Sequence, residues 1–263
     1  MLQNYSNSQT ETKDNLEKTR LKRNWWMLLI IPAWVTAGFF IAQLTVDGLF
    51  LLLRVANIPL GSIDRTVLNT VMIALIYLLT LVFVIFVPWL IKKYRTTKSD
   101  IGLTRLPSWS DIILTPAGLV IYLIISSLSI FITGKLLPWI DINQVQNVGY
   151  SQISQRYEYI LAFAALVVIA PIAEEIIFRG YLYGKLKKFV PIWVAILATS
   201  LLFGSIHGAW NLAIDTFVLS IVLCSLREIT GNIWSSMLLH MVKNGIAFYI
   251  LFIYPTLLTT LVR

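Results

Sequence analysis

The chain has 263 residues, of which 57% are hydrophobic and only 13% are charged, and its mean hydropathy is +0.77. This composition excludes a soluble globular domain and is typical of a polytopic helical membrane protein. The net charge of +8 does not indicate nucleic-acid binding, because the basic residues form short clusters between apolar segments.

A polar tail and seven apolar segments follow one another along the chain. Residues 1–24 are predicted to form a cytosolic tail, and residues 25–263 a single transmembrane domain. The predicted spans are 25–46, 67–91, 112–133, 159–183, 192–207, 212–226 and 233–252, and the segment 49–55 either extends the first span or lies in the interface. We therefore predict an all-α integral membrane protein with seven to eight transmembrane helices. The last four of these spans, residues 159–252, are expected to form the core of the protein around a hydrated cavity.

The distribution of Lys and Arg predicts the orientation of these spans. With the N-terminus inside, 14 basic residues fall on the inner side and 5 on the outer side, whereas Arg179 and Lys243 lie within apolar spans. Because cytosolic loops of membrane proteins are enriched in Lys and Arg, this bias predicts a cytosolic N-terminus. We expect a multi-pass protein of the cell membrane.

Three polar features between or at the ends of the spans have structural interpretations. The segment 98–111 is interpreted as a cytosolic connector that ends where a helix starts, at Ser110 or Asp111. Gly231 is predicted to end a helix. Asn211 and Asp215 are interpreted as a solvated cap at the outer interface rather than as ligands.

The fourth span contains three ionisable residues in an otherwise apolar segment, Glu174, Glu175 and Arg179. Such groups cost about 2.5 to 3.5 kcal/mol each at membrane depth, and they indicate a functional site. The four-residue spacing places Glu175 and Arg179 on one helix face and predicts that they pair. Glu174 then has no local cation and is the candidate general base.

The only two histidines, His207 and His240, also lie in apolar segments. Phe203 precedes His207 by four residues and Asn244 follows His240 by four, so each pair shares a helix face. Taken alone, each histidine is equally compatible with a packed or interfacial residue, and Asn244 with an amide that joins two helices. Their joint occurrence after the glutamate pair favours a catalytic site. Lys243 is a cation close to this site that pairs with a glutamate, extends to the interface or faces a hydrated cavity.

Three motifs resemble, in the correct order, those of the CAAX protease and bacteriocin-processing (CPBP, or Abi) family of intramembrane endopeptidases. EExxxR, FxxxH and HxxxN are matched by Glu174-Glu175-Ile-Ile-Phe-Arg179, Phe203-Gly-Ser-Ile-His207 and His240-Met-Val-Lys-Asn244. The likeness covers about residues 161–248. It implies a fold similar to that of CAAX prenyl protease 2. The first three spans match only in being hydrophobic.

The resemblance implies a role for each motif residue. Glu174 and His207 would activate a water molecule, and His240 and Asn244 would hold the oxyanion of the intermediate. The second glutamate and the arginine of the first motif would orient these groups. The implied substrate is a membrane-associated peptide or protein, either a prenylated CAAX tail or a leader or signalling peptide. The lipid bilayer is the other expected partner, and no nucleic acid is expected.

Two possibilities for a cofactor stay open. Glu174, His207 and His240 are the residues that would bind Zn²⁺ with water in the fourth position. The HExxH helix of many zinc peptidases is absent, however, and Asn244 suits an oxyanion hole better than a zinc site. The residues therefore favour a metal-free, glutamate-dependent peptidase without excluding zinc.

Two other functional classes also stay open. A non-enzymatic immunity or scaffold protein would keep the fold and bind a membrane partner, but it has no use for an unpaired carboxylate at membrane depth. A proton-coupled transporter would use intramembrane Glu and His as a relay, but no inverted repeat or pair of broken helices is evident.

The depth of the candidate residues raises a difficulty for any shared site. Glu174 lies 11 residues from Lys185 and His207 lies 19 residues from Lys188. Straight helices would then place the two side chains about 10 Å apart in depth. We expect either helix tilt or a fifth helix that begins below the membrane surface, after Pro191.

Overall fold

The computed structural model describes residues 25–90, 95–141, 144, 149–150 and 153–256, and the predicted tail 1–24 lies outside these ranges. The described residues contain seven long helices and no strand, which confirms the predicted all-α membrane fold. The helices are α1 Met27–Val55, α2 Arg65–Leu90, α3 Trp109–Leu136, α4 Arg156–Leu186, α5 Ile192–Ser205, α6 Trp210–Thr230 and α7 Trp234–Ile253.

Five of these helices, α1, α2, α3, α4 and α7, are long and apolar enough to cross a membrane. This is fewer than the seven to eight predicted spans, for two physical reasons. Helix α5 has 14 residues, so it rises only about 20 Å against a hydrocarbon thickness of about 30 Å. Helix α6 has 21 residues but contains Asp215, Arg227 and Glu228. The segment 49–55 extends the first span, because α1 continues to Val55.

Helix α4 is the central element of the fold. Its most apolar window is 44% buried, compared with 11% to 28% for the other four spanning helices. It contacts α1, α2, α5, α6 and α7, whereas α6 packs mainly against α3, α5 and α7. The side chains of α4 that carry the first motif therefore face protein rather than lipid.

Helix α4 is not a uniform α-helix. It has wider π-helical turns at Ala164–Ile169 and at Glu175–Leu182, on either side of a short α-helical segment that contains Pro171. Proline lacks a backbone N–H and its ring displaces the carbonyl four residues earlier, so the regular hydrogen-bond ladder cannot pass through this point. Such turns occur frequently at functional sites, and here one of them begins at Glu175.

Two helix ends lie close to where the sequence predicts them. Helix α3 begins at Trp109, one residue before the predicted start, and Ser108 and Asp111 form a capping box in front of it. Helix α6 ends at Gly231, as predicted, and this glycine has a left-handed backbone with φ of +66°. Glycine adopts this conformation without the steric cost that a side chain would add.

Residues 95–108, between α2 and α3, lie against the end of the bundle that carries the α4–α5 and α6–α7 turns. We call this segment the connector. The carbonyl of Gly102 accepts the backbone N–H of Ile233 at 3.0 Å, and the Trp234 indole donates to the Arg105 carbonyl at 2.7 Å. Lys188 pairs with Asp100. The connector thus fastens the α2–α3 link to the α4–α5 and α6–α7 turns, which a surface loop would not do.

The pairing with Lys188 also affects the pKa of the Asp100 carboxyl group. Partial burial raises the pKa of this carboxyl, but hydrogen bonds from Lys188 and Thr97 outweigh burial and lower the pKa to about 2. The carboxylate is therefore ionised at neutral and mildly acidic pH, and its contribution to stability is lost only as the pH falls from about 4 toward 2.

A second ionic contact, at membrane depth, corrects two interpretations of the sequence. Lys243 of α7 pairs with Asp215 of α6 at 3.2 Å rather than with a glutamate. The other oxygen of Asp215 accepts hydrogen bonds from Tyr122 and Ser126 of α3, each at 2.6 Å. Asp215 is therefore not part of a solvated cap, because it joins three helices. Asn211 does accept the N–H of Leu212 in the first turn of α6, as an interfacial residue can.

The close approach between the connector and α4 depends on a glycine. A Cβ atom placed on Gly184 would lie 2.5 Å from the carbonyl oxygen of Asp100, which is a backbone atom that cannot move aside by itself. Gly48 in α1 is a helical glycine with no heavy atom within 4 Å of its ideal Cβ position. These two positions separate the effect of packing from the effect of helix propensity.

We expect Gly184→Ala to lower the free energy of unfolding by about 1 to 3 kcal/mol, because the added methyl group forces the connector away from α4. Gly48→Ala should leave stability unchanged or raise it slightly, since alanine is the better helix former. Thermal unfolding of the two purified variants in the same detergent measures the difference. Equal melting temperatures would show that the connector does not lie against α4.

Candidate active site

The ion pair predicted within the first motif is present and completely buried. The Nη1 atom of Arg179 lies 2.9 Å from Oε1 of Glu175, and neither side chain has any exposed surface. The guanidinium also lies over the ring of Phe203, with 4.3 Å between its carbon and the ring centroid. Arg179 therefore links the first motif on α4 to the second motif on α5.

His240 of α7 contacts both glutamates. Its Nδ1 atom lies 2.9 Å from Oε1 of Glu175, and its Nε2 atom lies 3.6 Å from Oε2 of Glu174. The ring is 3% exposed. The third motif is thereby fixed to the first, although 65 residues separate His240 from Glu175.

The predicted contact between Phe203 and His207 is also present, although His207 lies in the turn directly after α5 rather than on the helix. The two ring centroids are 4.9 Å apart, and that of Phe203 is 5.8 Å from the ring of His240. The Nδ1 atom of His207 lies 2.6 Å from the carbonyl oxygen of Phe203. A carbonyl only accepts, so Nδ1 carries the proton, and in the neutral ring Nε2 keeps its lone pair.

A cavity of about 550 Å³ brings Glu174 and His207 together. Its walls come from α1, α2, α4 and α5, and they are mainly apolar and aromatic. This corrects the expectation that the last four helices alone form the cavity, because α1 and α2 supply one side of it. We call it the Glu174 cavity.

The predicted depth mismatch between Glu174 and His207 is resolved by the start of α5. The residues after α4 form a turn, and α5 begins only at Ile192 with Pro191 as its N-cap. From Leu186 back to Glu174, helix α4 rises about 18 Å, and from Ile192 to its end α5 rises about 20 Å. Counting from Lys188 overestimates the rise of α5.

Asn244 is held differently from the other motif residues. Its Nδ2 atom donates to the carbonyl oxygen of Leu166 at 3.0 Å, within the first π-helical turn of α4. A π-helical turn breaks the regular ladder and leaves backbone carbonyls for other donors. The structure thus places Asn244 on the same helix as His240 and against α4. Neither of these two residues lines the Glu174 cavity.

Sequence reasoning missed the contribution of α2 to this site. The hydroxyl of Tyr77 donates a hydrogen bond to Oε1 of Glu174, and both residues line the Glu174 cavity. Gln43 and Thr36 of α1 line the same cavity. One signal in the sequence is available after the fact, since a tyrosine hydroxyl in the middle of an apolar span requires a hydrogen-bond partner.

The candidate zinc ligands do not form a metal site in this arrangement. Within the described residues, no three His, Cys, Asp or Glu side chains are placed so that they could hold a metal ion. The Nδ1 atoms of His207 and His240 contact a backbone carbonyl and Glu175, so only Nε2 of each ring could face an ion. These Nε2 atoms and the Glu174 carboxylate are not placed to hold one ion together. The arrangement of Glu174, His207 and His240 therefore does not fit a zinc ion.

Comparison with known proteins gives one match. Residues 156–246 match the model of the family described as type II CAAX prenyl endopeptidase Rce1-like. No curated protein and no solved structure matches the chain. The matched segment runs from the start of α4 to α7 and contains all three motifs.

This match agrees with the resemblance drawn from the motifs. The matched family consists of membrane proteases, and it implies a bilayer and a membrane-associated substrate. The matched residues are 91 of 263, and they exclude α1, α2 and α3. Residues 156–246 are therefore similar to the Rce1-like endopeptidases, and this similarity covers the segment that carries the three motifs.

Proposed function

We propose that this protein is an intramembrane endopeptidase in which Glu174 and His207 activate the water that hydrolyses a peptide bond. The observation that carries the proposal is that both side chains line one cavity inside a bundle of membrane helices. Imidazoles and carboxylates are among the side chains that most often act as general bases.

The water would be held between the two side chains. The lone pair on Nε2 of His207 accepts one hydrogen bond from the water, since Nδ1 is committed to Phe203. Glu174 takes the other proton as the water oxygen attacks the carbonyl carbon of the substrate. The protonated carboxyl group then gives this proton to the leaving amine when the C–N bond breaks, which returns Glu174 to its starting state.

His240 and Asn244 are proposed to stabilise the oxyanion, and their contacts limit how they can do so. Nδ1 of His240 donates to the Glu175 carboxylate, so Nε2 can donate to an oxyanion only if the ring carries both protons. One N–H of Asn244 is used by Leu166, which leaves the second for the substrate. Because neither residue lines the Glu174 cavity, the substrate carbonyl would have to reach the side of Glu174 that faces His240.

The substrate proposed for this site is a membrane-associated peptide or protein. The walls of the Glu174 cavity carry Phe39, Phe40, Phe178 and Leu202, which favour an apolar group next to the scissile bond. A prenylated CAAX tail, as in the name of the matched family, and a leader or signalling peptide both have such a group. We propose this substrate class and include both kinds of peptide in the tests.

We also propose that the N-terminus is cytosolic and that the protein resides in the cell membrane. The contacts of the connector support this orientation, because they hold the α2–α3, α4–α5 and α6–α7 links at one end of the bundle. Two of these links are basic in their described residues, with Arg95, Lys98 and Arg105 between α2 and α3 and Lys187 and Lys188 between α4 and α5, whereas the α1–α2 link, residues 56–64, has no Lys or Arg. Clustering of positive charge at one end is expected for the cytosolic side.

Glu174→Gln tests the proposed base. We expect the rate of peptide cleavage to fall roughly 10²- to 10⁴-fold, because an amide cannot accept the proton of the water. Purified protein in detergent or liposomes is assayed with farnesylated CAAX-tail peptides and with membrane-bound leader peptides. Abundance and melting temperature should be unchanged.

Asp47→Asn is the matched control for that experiment. It makes the same change from carboxylate to amide on an exposed position of α1, outside the Glu174 cavity, and should keep full activity. Cleavage by the Glu174→Gln variant at the wild-type rate would contradict the peptidase and would favour a binding role.

Glu175→Gln should act mainly on stability. It leaves the fully buried guanidinium of Arg179 without its counter-ion, which costs roughly 3 to 5 kcal/mol when a buried pair is broken. We expect a large loss of folded protein, in contrast to the neighbouring Glu174→Gln. Expression in membranes and thermal unfolding compare the two variants, and equal stability would show that the pair does not hold the fold.

Chelator treatment tests the geometry of the candidate ligands. Because no three of these side chains converge on one point, we expect 1,10-phenanthroline and EDTA to leave the cleavage rate unchanged. The rate of the wild-type protein is measured before and after incubation, and again after adding Zn²⁺. Loss of activity that Zn²⁺ restores would contradict the metal-free mechanism.

A further inference from the structure

Tyr77 places a hydroxyl group in the middle of a membrane helix. It lies about halfway along α2, which runs over Arg65–Leu90 and is the most apolar of the spanning helices. A hydroxyl at this depth is costly unless it has a hydrogen-bond partner. Its partner is Oε1 of Glu174, the candidate base, which is 97 residues away in sequence.

Glu174 is held from two sides. Tyr77 donates to Oε1, whereas Nε2 of His240 faces Oε2 at 3.6 Å. The carboxylate therefore has a contact on each oxygen, one from α2 and one from α7. Between these contacts it borders the Glu174 cavity, which Tyr77 also lines.

We infer that Tyr77 is a positioning residue for the catalytic carboxylate of Glu174. The inference rests on the proposed function. Tyr77 would fix the rotation of the carboxylate so that it meets the water held by His207. The phenol keeps its own proton throughout and only donates a hydrogen bond, so it adds no step to the reaction.

A separate residue for this task is expected from the surroundings of Glu174. Glu175 has Arg179 on its own helix, but Glu174 has no cation within α4 and borders a cavity, so contacts from other helices must fix its orientation. A base must be held within about 0.5 Å and 10 to 20° of its productive geometry. A rigid phenol that donates to a charged acceptor at low dielectric provides that restraint.

Tyr77 adds to the site a residue that comes from outside the matched segment of the chain. It lies in α2, outside residues 156–246, which are the part of the chain that matches the family. Thr80, one turn further along α2, lines the same cavity. One face of α2 is thus built into the site, and the other carries exposed apolar side chains such as Leu78.

Tyr77→Phe is the test, because it removes only the hydroxyl. We expect kcat to fall roughly 10- to 100-fold, as for a lost hydrogen bond to a charged group that aligns a base. KM should change by less than about threefold, since the phenyl ring still lines the cavity. Wild type, Tyr77→Phe and Glu174→Gln are assayed with the cleaved peptide at several concentrations.

Tyr122→Phe is the matched control. The Tyr122 hydroxyl also donates to a partly buried carboxylate, Asp215, but that pair does not line the Glu174 cavity. Each variant should lower the melting temperature by no more than about 4 °C, and only Tyr77→Phe should lower kcat. If both variants lose kcat in step with stability, the role of Tyr77 is structural and the inference fails.

A double variant separates positioning from an independent effect. If Tyr77 acts through Glu174, then adding Tyr77→Phe to Glu174→Gln should not reduce the residual cleavage rate further. A further 10-fold or greater loss in the double variant would overturn the inference. So would a single Tyr77→Phe variant with the kcat of the wild type.

Failure of this inference is distinguishable from failure of the proposed function. If Glu174→Gln abolishes cleavage and Tyr77→Phe does not reduce it, the peptidase stands and the role of Tyr77 falls. If Glu174→Gln cleaves at the wild-type rate, the base is wrong, and the role of Tyr77 falls with it.

Discussion

The carboxylate of Glu175 is the point on which the rest of the site depends. Its Oε1 atom accepts from Arg179 on the same helix and from His240 on α7, each at 2.9 Å. Arg179 in turn lies over Phe203 of α5. Burying ions without compensation costs several kcal/mol each, so removing any one partner leaves a charge that the apolar interior does not stabilise. The three motifs are thereby tied to one another before any substrate is present.

The irregular turns of α4 give this cluster its particular geometry. One π-helical turn begins at Glu175, and the other contains Leu166, whose carbonyl binds Asn244. Wider turns are less stable than α-helical turns and need outside contacts to persist. Here the ion pair and the amide of α7 supply those contacts. The backbone hydrogen bonds of α4 thus depart from the α-helical pattern where the chemistry is proposed, and α7 contacts both π-helical turns.

The sequence predicts what depends on local spacing and misses what depends on distant contacts. Four-residue spacing correctly predicts the Glu175–Arg179 pair, because helix geometry alone fixes such neighbours. It also predicts the ring contact between Phe203 and His207, although His207 lies in the turn directly after α5. Turn chemistry gives the end of α6, and hydrophobicity gives the positions of the helices. The pairing of Lys243 with Asp215, on another helix, depends on how helices pack, and no periodicity in one sequence encodes that choice. The same holds for the connector and for the walls of the Glu174 cavity.

A site that uses water inside a bilayer needs walls as well as catalytic groups. Residues 156–246 carry the acid, the imidazoles and the amide, but the Glu174 cavity is closed on one side by α1 and α2, which lie outside that segment. Without those helices Glu174 would face lipid, where a carboxylate has neither hydration nor a partner. The matched segment by itself therefore does not enclose the cavity that Glu174 borders. It follows that the N-terminal helices, which resemble the family only in being hydrophobic, are part of the site rather than an anchor for it.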